Sequence, residues 1–79
     1  MAMVQAFVLI KAGVGMASRV GQAVSGIKGV RSADIVTGPY DVVVRVEAPS
    51  IDALGRLVVS KIQAIEGITR TLTCPVVRL

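Results

Sequence analysis

Ile27-Lys28-Gly29-Val30 returns further along the chain as Ile65-Glu66-Gly67-Ile68, and this repeated turn decides the fold. Ahead of the two copies stand two more matching stretches, Val8-Leu9-Ile10-Lys11-Ala12 and Val44-Arg45-Val46-Glu47-Ala48. Each half also carries a segment of helical period between its anchors. The chain therefore reads as strand–helix–strand twice over.

Working outward, Met3 to Ala12 is β-branched and apolar on both faces, the pattern of a strand central in its sheet. Gly13 and Gly15 break it. Met16, Ala17, Val20, Ala23, Val24 and Ile27 then recur at spacings of three and four, a one-sided helical stripe that ends between Gly26 and Gly29. Ser32 to Thr37 predicts a short second strand, Gly38-Pro39 a turn, and Tyr40 to Ala48 a third strand. Tyr40, Val42, Val44, Val46 and Ala48 share one face of it; Asp41, Val43, Arg45 and Glu47 share the other. Pro49-Ser50 opens a second helix, with Ser50 as N-cap and Asp52 favourable to the helix dipole. Leu54, Leu57, Val58, Lys61, Ile62 and Ile65 form its inner stripe, Lys61 reaching solvent along its stem. Gly67 ends it, and Thr69 to Arg78 is the last strand. Pro75 has no N–H for a ladder, which assigns that strand to an edge or a bulge.

The order β-α-β-β-α-β is the split βαβ arrangement of ferredoxin-like α+β folds. Right-handed crossovers put both helices on one face of a four-stranded antiparallel sheet. The other face is bare and partly apolar, so the expected architecture dimerises through the sheet. A chain of 79 residues is one domain, residues 1–79, and folding buries only roughly 60% of the unfolded surface at this size. Small domains make up the deficit with disulfides, metals or association. One Cys and no His exclude an internal disulfide and a histidine metal site, which leaves association. With 53% of residues apolar and 18% charged, some apolar surface belongs in an interface.

Several function classes fall away. The longest uncharged run, Met1 to Ile10, is far short of the roughly 20 residues of a spanning helix, and it lacks the basic start of a signal peptide. A single Cys and no export signal make the cytoplasm the expected compartment. The formal charge of +4 comes from nine Lys and Arg spread singly, without the patch that marks a nucleic-acid footprint. RNA-binding domains of this strand order stack bases on sheet aromatics, but this chain has only Phe7 and Tyr40, and Phe7 reads as core. No His is available for acid–base work, and Cys74 beside Pro75 in an apolar strand reads as a buried structural thiol, so no enzyme is expected. No metal and no cofactor is expected either. Gly13-Val14-Gly15 before a helix offers N–H groups to an anion, yet without a third glycine or a P-loop lysine it reads as a tight turn.

Two polar clusters remain. Gly38-Pro39-Tyr40-Asp41 holds a phenol and a carboxylate where a turn meets a strand, and Thr69, Thr71 and Thr73 alternate so as to share one strand face. Taken singly, the threonines read as β-propensity on a solvated strand, and Asp41 reads equally well as an exposed turn charge. Together they would suit an amino acid, with a carboxylate for its ammonium and hydroxyls or turn amides for its carboxylate.

The segment Val36-Thr37-Gly38-Pro39-Tyr40-Asp41 resembles the V-T-G-x-Y-D stretch in the effector domain of Lrp/AsnC-type regulators, and Gly67-Ile68-Thr69-Arg70-Thr71-Leu72-Thr73 resembles that domain's closing G-V-x-x-T-x-T pattern. This module is also called the RAM domain, and the resemblance covers nearly the whole chain. It implies sheet-paired dimers that assemble into larger closed rings, with amino acids bound in clefts between dimers. Matched residue by residue, the ligand-binding positions are Gly38, Tyr40, Asp41, Thr71 and Thr73. Pro39 occupies the variable place in the turn, and Cys74-Pro75 interrupts the end of the last strand. Family regulators carry a helix-turn-helix that has no counterpart here, so a stand-alone module is expected. It would not bind operator DNA specifically itself, and would modulate transcription through a full-length regulator of the same type. An ACT-like amino-acid-binding domain and a purely structural assembly protein are the competing expectations.

Overall fold

A computed structural model describes residues 3–78. Its elements run β1 (Val4–Ala12), α1 (Ala17–Ser25), β2 (Val30–Ile35), β3 (Val42–Ala48), α2 (Ile51–Leu57, continued by a π-helical turn Val58–Ile62) and β4 (Ile68–Pro75). The sheet is antiparallel throughout, in the order β2-β3-β1-β4. This is the ferredoxin-like βαββαβ topology. The apolar β1 is central, and Pro75 lies on the edge strand β4, where a missing N–H costs least.

Alternation sorts the core. Ala6, Val8 and Ile10 of β1 and Val42, Val44, Val46 and Ala48 of β3 are buried against Val20 and Val24 of α1 and Leu54, Val58 and Ile62 of the second helix. The opposite face carries no helix. Phe7, Leu9, Val43, Leu72 and Cys74 share it, as the pairings Leu9↔Val43, Leu9↔Leu72 and Phe7↔Cys74 require. Phe7 is therefore not core: it is 39% exposed, with the Arg45 guanidinium 5.5 Å above its ring. Cys74, expected buried, is exposed for the same reason.

The duplicated turns are built alike. Gly29 and Gly67 have φ of +98° and +100°, and a Cβ at either would press on a neighbour: Leu57 and the Glu47 carbonyl at Gly29, Met16 and Val20 at Gly67. Glycine alone fits both demands. One residue after each turn's last member, the strand bulges: Arg31 is the extra residue of β2 and Thr69 that of β4. Thr69 thus leaves the row expected with Thr71 and Thr73, and its hydroxyl donates to the Lys11 carbonyl at 3.1 Å.

The second helix departs from an even stripe. Leu54, Val58 and Ile62 are buried at spacings of four and four, while Lys61 is exposed. The π turn supplies the extra residue that keeps Ile62 facing the sheet. Ser50 caps the helix as expected, accepting from the Ala53 N–H at 3.1 Å. Strand limits shift as well: β2 ends at Ile35, and beyond it the Val36 N–H donates to the Asp41 carbonyl at 2.9 Å as the two strands meet the connecting turn.

Candidate functional site

Asp41 stands where the β1–β3 ladder runs out. The last paired residues are Ile10 and Val42, and the Asp41 N–H still donates to the Ile10 carbonyl at 2.8 Å. Beyond it the chain turns away, leaving the Ala12 N–H without a strand partner. The Asp41 side chain fills that place, Oδ2 accepting from Ala12 N at 2.8 Å. Its other oxygen makes no hydrogen bond among the described residues.

That carboxylate borders a cleft of about 410 Å³, lined also by Lys11, Gly13, Val14, Gly15 and Ser18. The glycine pair is the tight turn its sequence suggests, with φ +75° at Gly15, but it also forms a wall of this cleft. Gly13 is tied at both ends, donating to the Gly67 carbonyl at 2.8 Å and accepting from Met16 N at 3.0 Å. α1 begins here without a side-chain cap and with no acidic residue in its first turn. Its first N–H groups present partial positive charge beside the Asp41 carboxylate. A cleft with an anion on one wall and free donors on another complements a zwitterion.

The threonines lie elsewhere. Thr71 pairs with Ile10 from the opposite side to Val42, so Asp41 and Thr71 flank β1 about two strand spacings, roughly 10 Å, apart. Thr71 Oγ1 accepts from Gln63 Nε2 at 2.9 Å in a separate polar groove that includes Thr69 and Arg70. Thr73 sits two pairs further along, opposite Val8. Gly38, at φ +145°, and the half-buried Tyr40 belong to the turn leading into Asp41. Within one chain, then, Gly38, Tyr40, Asp41 and Thr71 collect at one end of the sheet, but among the described residues Asp41 and Thr71 line different clefts. Ser18 and Gln63 escaped sequence reading; neither sits in a motif, and only the packing brings them to this end.

Among the described residues no three His, Cys, Asp or Glu side chains approach closely enough to hold a metal ion, and no helix is long and apolar enough to cross a membrane.

A ferredoxin-like fold with a zwitterion-complementary cleft at one sheet end suits a small-molecule-binding domain, and comparison with known proteins agrees. The model of the Lrp/AsnC ligand-binding domain matches residues 5–79, so the chain belongs to that family. It is 32% identical over 71 residues to the uncharacterized HTH-type transcriptional regulator PH1916 of Pyrococcus horikoshii, covering 86% of this chain and 47% of that protein. The chain thus spans about half the length of the curated relatives it matches. Among solved structures, TTHA0845 from Thermus thermophilus superposes with a TM-score of 0.90 at 33% identity, covering 96% of this chain and 95% of that one. E. coli AsnC follows closely, with a TM-score of 0.89 at 28% identity over 96% of this chain and 52% of its own.

Proposed function

We propose that this chain is an amino-acid-sensing and oligomerising effector module that acts on transcription through a regulator carrying the DNA-binding function. The observation that carries the proposal is the Asp41 carboxylate, fixed by the Ala12 N–H and facing the uncapped start of α1 across one cleft. An α-amino acid bears its ammonium and carboxylate on one carbon. Asp41 takes the ammonium, and backbone N–H groups take the carboxylate.

Asp41 and Thr71 line different clefts on either side of β1, and the Thr71 hydroxyl is already engaged by Gln63, so one chain does not offer both to one ligand. The proposal therefore makes the complete site a shared one. Gly38, Tyr40 and Asp41 come from one copy, and Thr71 and Thr73 from a copy packed against it, as clefts between dimers would arrange. The dimer itself forms through the open sheet face, where Phe7, Leu9, Val43 and Leu72 lie uncovered, and dimers close into a larger ring. The partner acted on is a full-length Lrp/AsnC-type regulator, and the chain makes no sequence-specific contact with DNA.

Titration calorimetry against the twenty amino acids tests this. At least one binds, and its N-acetyl and amide derivatives, which remove one charge each, bind about tenfold or more weakly. Absence of heat with every amino acid, at concentrations where the protein is oligomeric, overturns the sensing role.

A further inference from the structure

We propose that the trough along α2, at the end of the molecule away from Asp41, is a docking surface for an acidic amphipathic segment of a partner protein. Two hollows adjoin there, of about 580 and 480 Å³, and share Lys28, Ala53 and Leu57. The floor is apolar, made by Ile27, Ala53 and Leu57, all half-buried. The rim is cationic: Lys28, Arg56 and Lys61 are exposed and make no ion pair among the described residues. The one carboxylate in the trough, Glu47, is already held by Arg31 at 3.2 Å. Three free cations around an apolar floor, with no free anion, are complementary to an amphipathic segment that sets acidic residues beside apolar ones.

Other occupants fit less well. A nucleic-acid strand gains nothing from a greasy floor that offers no aromatic for stacking. A bilayer is flat, and a concave floor cannot reach its hydrocarbon. The larger hollow is lined only by the second helix and the turn after α1, so it stays outward whether or not the open sheet faces pair. It also lies at the opposite end of the sheet from the amino-acid cleft. The inference does not depend on an amino acid being bound.

The test is fluorescence anisotropy with the whole chain and a labelled helical peptide patterned Leu at i, i+3, i+4 and i+7 with Glu between. Its control is a scrambled peptide of identical composition. The patterned peptide is expected to bind, the scrambled one about tenfold or more weakly, and affinity to fall as salt rises. The exposed-site variant Lys28→Glu/Arg56→Glu/Lys61→Glu should lose about tenfold or more toward the patterned peptide. Its amino-acid titration should be that of the parent, which keeps this result separate from any failure of the sensing role. Equal binding of patterned and scrambled peptides, or undiminished binding by the triple variant, overturns the proposal. So does tighter binding of duplex DNA or anionic vesicles than of the patterned peptide.

Discussion

Asp41 serves both the fold and the cleft, and a single truncation would confuse the two. Asp41→Ala leaves the part-buried Ala12 N–H without an acceptor, which should cost about 1–3 kcal/mol in urea unfolding. Asp41→Asn keeps an oxygen for Ala12 and removes the charge, so its stability should fall within about 1 kcal/mol of the parent. Equal losses for the two would mean the Ala12 bond carries no weight. Glycines separate in the same way. Gly67→Ala forces φ +100° on a residue with a Cβ, 2.7 Å from the Met16 methyl and 3.2 Å from Val20, and should destabilise by about 1–3 kcal/mol. Gly55 lies inside α2 with nothing within 4 Å of an added Cβ, so Gly55→Ala should stabilise by about 0.4–1 kcal/mol. Denaturant melts of both variants give the signs directly.

At the scale of elements, the repeat in the sequence is a repeat in geometry: helix, positive-φ glycine, strand with a bulge one residue in. The glycine turns were legible because only glycine tolerates that backbone. The core faces of β1 and β3 were legible because alternation is a direct readout of the pleat. The bulge at Thr69 was not, since an extra residue in an edge strand leaves no trace in composition. Phe7 and Cys74 were misplaced because an apolar residue on an uncovered face looks, in sequence, like a core residue. In the second helix, Lys61 fitted a period of 3.6 and hid the four-and-four spacing of Leu54, Val58 and Ile62. Of the site, Asp41 was visible as a carboxylate beside a turn glycine, but its bond to Ala12 depends on where two strands stop pairing. The π turn carries its own prediction. Deleting Val59, which is 63% exposed, should convert the turn to continuous α-helix with Leu54, Val58 and Ile62 still inward. Unfolding should stay cooperative by circular dichroism. Loss of cooperative unfolding would show that the π turn is required rather than accommodated.

As a whole the molecule is a slab, 39 × 24 × 17 Å, with helices on one broad side and an open sheet on the other. Its surface of 5162 Å² exceeds the roughly 4,500 Å² usual for a monomer of this mass, as an unpaired half of an assembly would. Phe7→Lys combined with Leu72→Lys places charges on the uncovered face without touching the core. Light scattering should report oligomers for the parent and a shift to monomer for this variant; a parent that stays monomeric at micromolar concentration would remove the sheet-paired dimer. The assignment of Asp41 stands or falls on one comparison: calorimetric titration of the parent and Asp41→Asn with the amino acid the parent binds best. Loss of a charged hydrogen bond should weaken Asp41→Asn by about ten- to a hundredfold, from roughly 1.5–3 kcal/mol, with its oligomer retained and its stability within about 1 kcal/mol of the parent. An Asp41→Asn protein that binds that amino acid as tightly as the parent would contradict the assignment of Asp41 to the ammonium group.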